Sequence, residues 1–131
     1  MAGIVDEDTD NNTKYRAHEL QSAILIRRQT KTLETILKQF NAPTIIDYLS
    51  LDVEGAETRV LKNFPFDKYK FLTMTVERPP IELENILFDN DYVFVMKSKL
   101  MEFDSFYVHK SISNFDDIVK EPYSPTPQKD W

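Results

Sequence analysis

Apolar positions along the chain recur in two alternating rhythms. Ala23 to Ile26 is a short unbroken apolar run closed by Arg27 and Arg28, which predicts a buried strand. Leu33, Ile36, Leu37 and Phe40 then fall at i, i+3, i+4 and i+7, the spacing of a helix with one apolar face. Thr30 or Thr32 can cap that helix, and Asn41-Ala42-Pro43 ends it. Ile45 to Leu51 gathers β-branched and aromatic side chains into a second strand, closed by Asp52. Ala56, Val60 and Leu61 return to helical spacing, so Asp52 to Gly55 reads as a strand-to-helix turn. Phe71 to Glu77 alternates apolar and polar residues before Pro79-Pro80, which cannot continue a ladder, and predicts a third strand. Leu83, Ile86 and Leu87 give one more helix, stopped near Asn90-Asp91. Tyr92 to Met96 and Ser105 to His109 are strand-like runs close enough to form a hairpin.

This order predicts an α/β fold with a mostly parallel sheet and a C-terminal antiparallel hairpin. Residues 1–22 read as an acidic and polar N-terminal segment, 23–112 as the domain, and 113–131 as a tail carrying Pro122, Pro125 and Pro127. Right-handed crossovers put helices on both faces of such a sheet, and ligands bind beyond the carboxyl ends of its strands. Three groups stand at those ends: Arg27 with Arg28, Asp52 with Glu54, and Glu77 with Arg78. Asp52 has two readings. It can cap the next helix, with Glu54 in the first turn where the macrodipole favours negative charge. Or it can converge with Glu77 on one crevice and accept hydrogen bonds or a proton from a substrate hydroxyl. Glu77 and Arg78 can equally pair with each other in water, where such pairs contribute little.

Composition narrows the function. A chain of 131 residues is the size of one domain, and its net charge of -6, without a basic stripe, argues against nucleic acid or an anionic membrane as partner. The absence of cysteine rules out disulfides, thiolate metal sites and a cysteine nucleophile. No basic, apolar leader opens the sequence, so the cytoplasm is the default expectation. His18 and His109 have no partner pattern for a metal or a triad, and Asp52 with Glu54 supplies too few oxygen ligands to call for one. The nine Phe and six Tyr read as core and sheet packing.

Thr32-Leu33-Glu34-Thr35-Ile36-Leu37, then Ile46 to Leu51 running into Asp52-Val53-Glu54-Gly55-Ala56-Glu57, then Val60-Leu61, together resemble the FkbM methyltransferase family. The similarity continues through Phe71 to Glu77 and Asp104 to Val108, and so covers roughly residues 30–109. It implies part of a Rossmann-like methyltransferase sheet with its last strand antiparallel. It also implies S-adenosylmethionine as cofactor and methyl transfer to a hydroxyl of a small molecule or sugar. By the same resemblance Asp52, Glu54 and Gly55 lie near the cofactor, and Asp52, Glu54 and Glu77 are the catalytic candidates.

One departure qualifies this. The family needs a glycine-rich turn after its first strand, because only glycine lets the backbone approach the cofactor so closely. Here the two glycines, Gly3 and Gly55, are not arranged to make one. The expectation is therefore a domain that is incomplete and inactive as the isolated chain, with an apolar sheet edge that a second copy or another chain covers. The alternatives are a non-catalytic interaction module derived from the same fold, and a fragment of a longer enzyme.

Overall fold

The computed structural model describes residues 29–97 and 103–120. The predicted strand at Ala23 to Ile26, together with Arg27, Arg28, His18 and the proline-bearing tail from residue 121, lies outside the described residues.

In the described region the helices and strands begin and end for local reasons. Thr32 caps α1 (Leu33–Gln39), its hydroxyl accepting from the Thr35 amide at 3.2 Å. Glu34 in the first turn and Lys38 in the last complement the helix dipole and pair with each other at 2.6 Å. Asn41, at φ 50°, breaks the helix and turns the chain into β1 (Ile45–Leu51). After the turn at Asp52 to Gly55 comes α2 (Glu57–Leu61), then β2 (Lys70–Glu77). Pro79 and Pro80 end β2, and Pro80 is the residue from which α3 (Ile81–Asp89) starts. The hairpin follows as β3 (Tyr92–Lys97) and β4 (Asp104–His109). A last short helix, α4 (Phe115–Lys120), lies where the apolar spacing pointed to none.

The four strands form one sheet in the order β1-β2-β4-β3. β1 pairs with β2 in parallel, while β4 runs antiparallel to both β2 and β3. The expectation of a mostly parallel sheet is corrected here: the sheet is mixed, and two of its three pairings are antiparallel. The cause is the hairpin, whose second strand inserts between β2 and β3 rather than adding at the edge. β1, β2 and β3 still point the same way.

One face of the sheet presents Leu51, Met74, Val76 and Tyr107 to Leu61 of α2 and to Leu83 and Leu87 of α3, all buried. Burying each such side chain stabilises the fold by about 1.5–3 kcal/mol. An aromatic group closes the other end of this core: Phe64 stacks on Phe71 at 5.4 Å, and Phe66 meets Tyr92 edge-on at 5.8 Å. The Tyr92 hydroxyl accepts from the Phe71 amide at 3.1 Å, and burial pushes its proton affinity up to about 12. Phe64, Tyr69, Phe71, Tyr92 and Tyr107 thus act as packing, whereas Phe40, Tyr48 and Phe103 are exposed. α1 covers the core only in part. Leu33 and Leu37 pack against it, whereas Ile36 and Phe40 on the same apolar face stay exposed among the described residues. The second face of the sheet is more polar, with the Tyr48 hydroxyl donating to Thr75 Oγ1 at 2.8 Å. No helix among the described residues is long and apolar enough to cross a membrane.

Candidate functional site

Parallel pairing brings the carboxyl ends of β1 and β2 to the same level. Leu51 is partnered with Val76, so the next residues, Asp52 and Glu77, stand side by side where the strands stop. The turn after β1 holds Glu54 at φ 56° and Gly55 at φ 90°, and Arg78 just after β2 has φ 41°. Left-handed backbone at a non-glycine residue costs energy and gathers at functional sites. Here it occurs at both strand ends.

The side chains converge as well. Glu77 is about four-fifths buried and its proton affinity is raised, first by burial. Next come the charge of Asp52 and a hydrogen bond shared with that side chain, and then the charge of Glu54. Arg78 opposes the shift, its Nε lying 3.9 Å from Glu77 Oε1, and counts for more than Glu54. Asp52, Glu54 and Glu77 therefore form one electrostatic group, an outcome that residue spacing alone left open.

The capping reading of Asp52 is overturned. The residue at the start of α2 is Ala56, which makes no side-chain cap, and Glu54 sits in the turn before the helix rather than in its first turn. Asp52 is exposed and its side chain bears on Glu77 instead. The backbone of the turn is met by Glu57, whose Oε1 accepts from the Val53 amide at 3.0 Å and the Gly55 amide at 3.2 Å. Glu57 is 3% exposed.

Two residues of this region were missed from the sequence. Glu57 could have been noticed as an acid two positions beyond the turn glycine, close enough to reach back to it. Asp104 is the register partner of Glu77 at the start of β4, on the strand next to β2. Only the strand order places it there. Arg78 is fastened on its far side: its amide donates to the Phe103 carbonyl at 2.8 Å and its guanidinium lies 4.0 Å over the Phe103 ring. Among the described residues no group of three or more His, Cys, Asp or Glu is arranged to hold a metal ion.

Carboxylates gathered at parallel strand ends suit hydroxyl donors and cationic ligands. The sequence matches a family model described as "Methyltransferase FkbM domain" over residues 3–119. The chain belongs to the FkbM methyltransferase domain family. Asp52, Glu54, Gly55, Glu57, Glu77, Arg78 and Asp104 all lie within that match. No curated protein and no solved structure matches the chain.

His109, at the opposite end of the sheet, takes no part. It is buried against Tyr92, its Nδ1 accepts from the Ser111 amide at 3.0 Å, and burial followed by the charge of Lys70 lowers its proton affinity. It is part of the packing at that end.

Proposed function

We propose that this FkbM domain acts as an S-adenosylmethionine-dependent O-methyltransferase whose acceptor hydroxyl is held by Asp52 and Glu77. The observation that carries the reading is the meeting of Asp52, Glu54 and Glu77 at adjacent parallel strand ends. A last strand running against its neighbours, as β4 does, is also what a Rossmann-like methyltransferase sheet requires.

When bound, S-adenosylmethionine supplies a methyl group on a positively charged sulfonium. The crevice fits such a group: three carboxylates face it with one neighbouring guanidinium, so its field favours a cation. Asp52, Glu54 and Gly55 are the residues that would stand beside it. The acceptor, a small-molecule or sugar hydroxyl, donates a hydrogen bond to Asp52 or Glu77. Glu77 is the better final proton acceptor, because its surroundings already raise its affinity for a proton. Holding the hydroxyl in line supplies much of the rate in such transfers.

The glycine inventory favours a second reading. With Gly3 and Gly55 alone, the chain lacks the close-approach turn that the cofactor's other end needs, and a partner segment would have to provide it. Calorimetric titration of the folded chain with S-adenosylmethionine separates the two. Saturable heat that Asp52→Asn weakens supports a site built by this chain. A folded chain that gives no heat sinks stand-alone binding and leaves the acceptor half of a shared site.

A further inference from the structure

We infer that Glu57 is a positioning residue, whose buried carboxylate fixes the Asp52 to Gly55 turn and thereby holds Asp52 and Glu54 against Glu77. The inference deepens the proposed methyl-transfer site and rests on that reading for its catalytic meaning. Its geometry stands without it.

Three observations carry it. First, the acids of this segment divide their work. Asp52 is exposed and Glu54 half-buried, and both bear on Glu77, while Glu57 is withdrawn from solvent and spends one oxygen on two backbone amides. Second, those amides flank Glu54, the residue driven to φ 56°. Glu54 needs an outside anchor there, since left-handed backbone is unfavourable for a side chain with a Cβ, whereas Gly55 beside it adopts φ 90° freely. Converging amides attract an anion, and here the chain provides its own. Third, α2 has no side-chain cap and only five residues, so the helix itself offers little to hold the turn.

Shortening Glu57 therefore frees the turn and lets Asp52 and Glu54 relax away from Glu77. The test reads Glu77 directly, by following its side-chain carboxyl carbon by NMR as pH is varied, with no cofactor present. In the wild type Glu77 titrates above the ordinary glutamate value of 4.5, by burial first and then by its acidic neighbours. In Glu57→Asp, which keeps the charge but draws the oxygen back, the Glu77 midpoint falls toward that value. The Val53 and Gly55 amides there exchange with solvent about tenfold faster or more, as expected for losing hydrogen bonds to a charged group. Glu57→Gln keeps the accepting oxygen and stays with the wild type. A Glu77 midpoint unchanged in a folded Glu57→Asp protein overturns the inference, as does finding both amides unprotected in the wild type. Neither readout involves S-adenosylmethionine, so failure of the methyltransferase reading and failure of this one are told apart.

Discussion

Replacing Glu77 by Gln should make the protein more stable at neutral pH while weakening its site. Folding places the Glu77 carboxylate, about four-fifths buried, beside Asp52 and near Glu54. Two unit charges about 4 Å apart repel by ~4 kcal/mol at the effective dielectric of a protein surface and ~1 kcal/mol in water. The Arg78 guanidinium, 3.9 Å away and partly exposed, offsets much of this, and its loss as a partner costs no more than about 1 kcal/mol. The net gain on neutralising Glu77 is then about 1–2 kcal/mol. For a chain of this size that corresponds to a rise in Tm of about 3–6 °C. The sign of the pH dependence follows. Because the folded state raises the proton affinity of Glu77, it binds more protons than the unfolded chain above 4.5, and stability falls as pH rises from there through the folded value. Glu77→Gln lacks that fall. Scanning calorimetry of both proteins should show the variant melting higher at neutral pH and the two melting together well below 4.5. A variant that melts lower at neutral pH, or one whose advantage persists unchanged in acid, would refute the argument that like charges are forced together here.

Other perturbations have equally definite outcomes. Tyr107 is fully buried and donates to Glu84 Oε1 at 2.9 Å, tying β4 to α3, so Tyr107→Phe should cost about 1–2 kcal/mol in urea unfolding, with a double-mutant cycle against Glu84→Ala recovering most of it as coupling. Leu83→Ala, at a position with no exposure between α3 and the sheet, should cost about 2–5 kcal/mol without moving the Glu77 titration. Thr32→Ala removes the cap of α1 and should cost about 1 kcal/mol in the same assay. Tyr92 should resist ionisation until about pH 12 in an ultraviolet titration, and stability should fall as pH rises from its ordinary value of 10.0 toward that point.

Much of the fold was legible because its signals are local. Periodicity located α1, α2 and α3, β-branched and aromatic runs located all four described strands, and Asn41 and Pro79-Pro80 marked real stops. Strand order was less accessible. Tyr92 to Met96 and Ser105 to His109 announce a hairpin, but nothing in them says that β4 rather than β3 will lie against β2, and that choice makes the sheet mixed. The site shows the same division. Asp52, Glu54 and Glu77 were visible as acids at strand ends, whereas their convergence depends on the Leu51 to Val76 register. Asp104 is set opposite Glu77 only through the insertion of β4. Of the two readings open for Asp52, capping fails because the turn is satisfied from behind by Glu57, an acid that lies inside the helix rather than before it.

The most direct test of the central claim is to follow backbone amide signals by NMR while S-adenosylmethionine is added to the folded chain. The account predicts shifts concentrated at residues 52–57 and 77–78, with little change around His109 at the opposite end of the sheet, and loss of the response in Asp52→Asn. An unchanged spectrum at saturating ligand, or shifts centred away from the ends of β1 and β2, would contradict it.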